Sequence, residues 1–110
     1  MKSEKNPRER QNVFNLPPEL LASIRTIGQK HGLAQILLFG SRARGDHSPR
    51  SDVDLALRAE NAEQYFTILE DLDQLETLLR FDVVDMNSLS LSRDLKEEIL
   101  RDGKVIYEKI

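Results

Sequence analysis

Gly40-Ser41 and Asp52-Val53-Asp54 are the residues of this chain whose types and spacing could do chemistry together. A Gly-Ser pair lets the backbone turn tightly enough for amide N–H groups and the Ser41 hydroxyl to face one bound anion. A helical turn beginning at Arg42 would add the favourable end of its dipole. Asp52 and Asp54 fall on one face of a strand, because side chains alternate along it. Carboxylates placed so repel, and tend to raise one pKa, unless a cation stands between them. Mg²⁺ removes that conflict, since it takes oxygen ligands and is usually held by one or two carboxylates plus substrate phosphates. Ions about 3.5 to 4 Å apart would activate an attacking oxygen and steady a leaving pyrophosphate. Each half alone has an ordinary explanation, a plain strand-to-helix turn or a solvated strand face. Their joint presence between residues 40 and 54 favours a nucleoside triphosphate site.

A third carboxylate is expected from a neighbouring strand, and Phe81-Asp82-Val83-Val84-Asp85 offers two. Alternation sends Asp82 and Asp85 to opposite faces, so only one should serve the site. Asp82 is preferred, because it falls in the strand interior where an unpaired charge is expensive. Arg42 and Arg44 flank the turn and Arg50 precedes the acids. Any of them could neutralise triphosphate charge, with ordinary surface arginines as the alternative. His31 and His47 lack the spacing of a helical metal site and are read as solvated. The Gly-x-x-x-x-Gly-Lys-Ser/Thr loop of P-loop ATPases is absent from the sequence.

These residues need elements to position them. Pro17-Pro18 opens a helix with Leu20, Leu21, Ile24 and Ile27 on one face, ended near Gly32. Ala34 to Phe39 reads as a strand buried on both faces and Asp52 to Arg58 as a second strand. Asn61 caps a long helix with Phe66, Leu69, Leu72, Leu75, Leu78 and Leu79 on its inner side. Arg80 to Met86 is a third strand. A last helix starts from Ser90 or Ser92, runs through Leu95, Ile99 and Leu100, and stops at Gly103. Lys104 to Tyr107 is read as a short edge strand outside the main three. Strands alternating with helices make a small α/β or α+β domain.

A chain of 110 residues suffices for one core and not for a catalytic domain plus a separate substrate domain. Residues 14–110 are expected to form that domain and residues 1–13 a flexible charged tail. The tail has no apolar stretch of the kind a signal peptide needs. Hydrophobic content of 39%, with no long apolar run, predicts a protein without a membrane span. Zero cysteines fit a cytoplasmic location. A net charge of −3 argues against general nucleic-acid binding.

Gly40-Ser41-Arg42-Ala43-Arg44-Gly45, Ser51-Asp52-Val53-Asp54-Leu55 and Phe81-Asp82-Val83-Val84 together closely resemble the DNA polymerase beta-like nucleotidyltransferase superfamily, and the short length resembles its minimal (MNT) group. The resemblance spans about residues 17 to 107. It implies a mixed three-stranded sheet with flanking helices. It also implies nucleotide binding by Gly40 and Ser41, with Arg42, Arg44 and Ser51 in the same motif, and two Mg²⁺ ions held by Asp52, Asp54 and Asp82. Many minimal members are antitoxins paired with an all-helical HEPN protein, and some transfer AMP from ATP to a partner tyrosine. The resemblance therefore implies an Mg²⁺-dependent adenylyltransferase acting on a HEPN-type partner. Two alternatives stand beside it: a non-catalytic module that neutralises its partner by occlusion, and transfer to a small molecule such as an aminoglycoside, for which a homo-oligomer would close the acceptor pocket.

Overall fold

The computed structural model describes residues 13–110. Apart from Val13, the tail expected over residues 1–13 lies outside them. The first helix, α1 (Pro18–His31), starts where proline's fixed φ suits the first helical position. It ends at Gly32, whose φ of 63° is left-handed and whose N–H returns to the carbonyls of Gln29 and Gly28. Leu20, Leu21, Ile24 and Ile27 are all buried, as their spacing predicts.

Strand β1 (Gln35–Phe39) leads directly into the short helix α2 (Gly40–Arg44). Then follow β2 (Val53–Arg58), α3 (Ala62–Asp73), β3 (Phe81–Asp85), α4 (Arg93–Asp102) and β4 (Lys104–Glu108). The sheet has the order β3-β2-β1-β4. Strand β1 runs antiparallel to β2 and β4, and β2 runs parallel to β3, so the sheet is mixed. It has four strands, not three: Lys104–Glu108 forms a full edge strand along β1, with a register shift between Ile36 and Leu37. Ile106 is buried there and Tyr107 closes over Gly28 of α1.

Side-chain alternation divides the core. Ile36, Leu38, Val53, Leu55 and Leu57 face α1 and α3, joined by Ile24, Leu33, Ile68 and Leu72. Leu37, Phe39 and Ala56 face the other way, against Met86 and Ile99. Both faces of β1 and β2 are therefore covered, which is why these strands read as nearly continuous apolar runs.

Helix α3 is shorter than the leucine periodicity suggested. Asn61 caps it as expected, its Oδ1 accepting from Gln64 N at 2.8 Å. It ends at Asp73, and its buried residues are Ile68 and Leu72. Phe66 and Leu78 are exposed, while Leu75 and Leu79 reach the core from the following loop. The parallel pairing of β2 with β3 sets this length, since the chain must return to the start of β3 opposite Val53. At about 1.5 Å per residue, three helical turns match one strand, and a longer helix would overshoot. Ser92 rather than Ser90 caps α4, its Oγ accepting from Leu95 N at 3.1 Å. Leu100 is exposed. No helix among the described residues is long and apolar enough to cross a membrane.

Candidate active site

Phe39, the last residue of β1, pairs with Asp54, and Asp54 pairs in turn with Asp82 of β3. This cross-strand row ends beside the turn at Gly40. Asp54 and Asp82 lie on the sheet face of Ala56 and Val84, the face that α4 covers. Asp52 is exposed just before β2, and Asp54 is half-buried. Asp85 falls on the opposite face, its Oδ1 accepting from Asn87 N at 2.9 Å. Asp82 is exposed rather than interior, because β3 is an edge strand and its acidic face is open at this end.

Gly40 has a φ of 74°, a conformation that side chains disfavour, and it meets Asp54 at close range. A Cβ at this position would come within 2.1 Å of Asp54 Oδ2 and 2.9 Å of its Cγ. The absent side chain thus leaves the space in which the carboxylate sits. Helix α2 begins at Gly40 itself, two residues before the expected Arg42, and no side chain caps it. Uncapped N–H groups at a helix start favour a negative charge. Ser41 is half-buried at this first turn.

Burial pushes the Asp54 carboxyl up to about 6, with Asp82, Asp52 and Glu98 adding in that order and Arg44 opposing them. Like charges gathered on a partly buried face resist full ionisation without a cation. Among the described residues, no three acidic or histidine side chains converge tightly enough to hold an ion by themselves. Such an open set suits Mg²⁺, which takes its remaining ligands from water and phosphate, and not a metal that needs a closed protein cage. Asp54 is the inner member of this group, with Asp82 beside it on β3 and Asp52 exposed before β2, and a divalent ion here would need water and phosphate oxygens beside these carboxylates.

The arginines divide. Arg42 is 4% exposed and holds backbone carbonyls: Nε donates to Ser51 at 3.2 Å, Nη1 to Asn15 at 2.5 Å and Nη2 to Pro49 at 3.2 Å. Asn15, at a φ of 54°, returns a bond from Nδ2 to the Arg42 carbonyl at 2.7 Å. Arg42 therefore clasps the loop between α2 and β2 and does not face the acids, contrary to its reading as a phosphate ligand. Burial lowers its pKa from the ordinary arginine range. Ser51 belongs to the same clasp, its Oγ accepting from Ser48 N at 2.8 Å. Arg44 lies on the acidic side, 3.5 Å from Glu98 and 3.7 Å from Asp102. Arg50 is exposed.

The histidines also depart from the solvated reading. His31 Nε2 is 2.6 Å from Asp71 Oδ2 and ties the end of α1 to α3. His47 is half-buried, and its Nδ1 is enclosed without a partner among the described residues. Glu98, which faces Asp54 and Arg44 from α4, escaped the sequence reading. Its signal was available in the i, i+4 pair Glu98 and Asp102, which puts like charges on one helix face.

The model of the family described as "Polymerase beta, Nucleotidyltransferase" matches residues 22–110, and the chain belongs to that family. Its fold and domain are those of a nucleotidyltransferase, which is a transferase domain. A crystal structure of a toxin-antitoxin with AMP-PNP is 25% identical over 80% of this chain and 73% of its own, with a TM-score of 0.58. The structure of a minimal nucleotidyltransferase is 24% identical, covers 76% of this chain and 86% of its own, and has a TM-score of 0.52. The MNT antitoxin bound to a tri-AMPylated HEPN toxin of Shewanella oneidensis is 22% identical over 82% of this chain and 71% of its own, with a TM-score of 0.52. No curated protein matches the chain significantly.

Proposed function

We propose that this chain transfers a nucleoside monophosphate, AMP from ATP, to a hydroxyl of a partner protein and releases pyrophosphate. The partner is a helical HEPN-type toxin, and this chain is its antitoxin. The observation that carries the reading is the close approach of Gly40 to Asp54, which joins a phosphate-type turn to the row Asp54 and Asp82. Bound Mg²⁺, two ions in this reading, would neutralise triphosphate charge and polarise the attacking oxygen.

The chain's own residues do the rest. Gly40 leaves room for the Asp54 carboxylate, while the Ser41 hydroxyl and the first N–H groups of α2 hold phosphate oxygens. Asp52 and Asp54 provide metal oxygens. Asp82, exposed beside Asp54, completes the set or takes the proton of the attacking hydroxyl. The acceptor oxygen then forms its bond to the α-phosphorus as the bond to pyrophosphate breaks. Catalysis comes mainly from positioning and charge stabilisation. Among similar structures, one toxin-antitoxin was solved with AMP-PNP and one HEPN toxin carries AMP groups beside its MNT antitoxin, which supports ATP as donor and a HEPN protein as partner. Such a pair would act in the cytoplasm.

The test is incubation with α-labelled ATP, Mg²⁺ and the product of the adjacent gene. Label should pass to that protein from wild type and not from Asp52→Asn/Asp54→Asn. Undiminished labelling by the double variant overturns the assignment of these residues. Full suppression of partner toxicity by the same variant would favour neutralisation by occlusion instead.

A further inference from the structure

Glu98 and Asp102 stand one turn apart on α4, facing α2. Like charges at this spacing weaken a helix unless a cation stands between them. Arg44 is that cation. Its Nη1 lies 3.5 Å from Glu98 Oε2 and 3.7 Å from Asp102 Oδ2, and its Nε donates to Asp46 Oδ2 at 3.2 Å. Asp102 is only 15% exposed, and Arg101 grips its carboxylate with two further bonds of 3.0 Å, which fixes its orientation. The arginine is thus held from α4 and from the loop after α2. Glu98 and Arg44 both act on Asp54, with opposite signs, so the cluster borders the carboxylate face.

A free arginine side chain loses much rotamer entropy when it grips an anion, and one already held loses less. Arg42, the other arginine of the turn, is committed to backbone carbonyls and cannot take this part. We infer that Glu98 and Asp102 are positioning residues that hold the Arg44 guanidinium beside the Gly40-Ser41 turn, ready for the phosphates of the nucleoside triphosphate. The inference rests on the nucleotide reading above and adds to it. In this role Glu98 and Asp102 act on the phosphates through Arg44, and Glu98 separately adds negative charge at Asp54.

The test is a double-mutant cycle read by calorimetric titration with a non-hydrolysable ATP analogue and Mg²⁺, using wild type, Glu98→Gln, Arg44→Gln and the combination. Glu98→Gln should weaken binding about threefold, and Glu98→Gln/Asp102→Asn about tenfold, in keeping with partly exposed ion pairs. In the Arg44→Gln background, most of the loss caused by Glu98→Gln should vanish, the remainder being its charge at Asp54. Glu98→Asp, which keeps the charge, should restore most of the affinity. All titrations are run at a temperature where thermal melts show every variant folded. A loss that persists in full without Arg44, or unchanged or tighter binding by Glu98→Gln, overturns the positioning role while leaving the nucleotide reading intact. Wild type that fails to bind the analogue overturns both.

Discussion

Gly40 and Asp54 constrain one another, since the carboxylate occupies the place a Cβ at residue 40 would need. Gly40→Ala should therefore do two things. It should lower stability by about 1–3 kcal/mol through the left-handed backbone and the displaced acid, and it should abolish binding of Mg²⁺ with an ATP analogue. Urea melts and calorimetry measure the two effects separately. A variant of unchanged affinity would contradict the assigned geometry. Asp54 itself gives a pH prediction. Burial and the neighbouring acids push its folded carboxyl up to about 6, against an ordinary value of 3.8. Between those values the folded protein holds a proton that the unfolded chain has released, so this group's contribution to stability falls as pH rises through that window. Asp54→Asn should accordingly be more stable than the metal-free wild type at pH 8, with the gain fading towards pH 4. Urea midpoints across this range check it, and a less stable Asp54→Asn at pH 8 would contradict it. Added Mg²⁺ should stabilise wild type at pH 8 and leave Asp54→Asn unmoved.

The elements around the site were legible where their signals are local. Pro17-Pro18, Gly32, Asn61 and Gly103 mark helix ends because caps depend on a few neighbouring residues, and all four stand at ends in the structure. The length of α3 was not legible, since Leu75, Leu78 and Leu79 continue a helical spacing that the return to β3 interrupts. Arg42 was misread for a related reason. Beside a glycine-serine turn an arginine suggests phosphate, and only the folded clasp, with Asn15, 27 residues earlier, and Pro49 and Ser51 in the following loop, shows that its fork is taken by backbone. Lysine cannot reproduce that planar fork, so Arg42→Lys should destabilise the protein by about 1–3 kcal/mol. It should also speed proteolysis between Gly45 and Asp52, which limited digestion followed by mass spectrometry would locate. Between α1 and β4, a Cβ on residue 28 would lie 2.8 Å from Tyr107 Cδ2. Overpacking there outweighs the better helix propensity, and Gly28→Ala should lose about 1 kcal/mol in chemical denaturation.

At the scale of the molecule, one sheet carries both halves of the candidate site. Strand β1 leads into the turn, β2 carries Asp54 with Asp52 just before it and β3 carries Asp82, and the covered faces of β1 and β2 hold them in register. The turn and the acids of the candidate site were legible because they sit close together in the chain. The sequence did not show Glu98, which reaches Asp54 only after α4 has folded back over the sheet. The exposed position of Asp82 follows from strand order, a long-range property. The fourth strand was legible as the short edge strand at Lys104 to Tyr107, whereas its place beside β1 depends on pairing across the length of the chain. In the proposed function, one metal-centred nucleotide site joins these three strands. Replacing Mg²⁺ with paramagnetic Mn²⁺ in the presence of an ATP analogue, and recording amide NMR spectra, tests it most directly. Selective broadening is expected at Gly40, Ser41, Asp52 to Asp54 and Asp82, abolished in Asp52→Asn/Asp54→Asn. Broadening centred elsewhere, such as at His31 and Asp71, or unaffected by the double substitution, would contradict it.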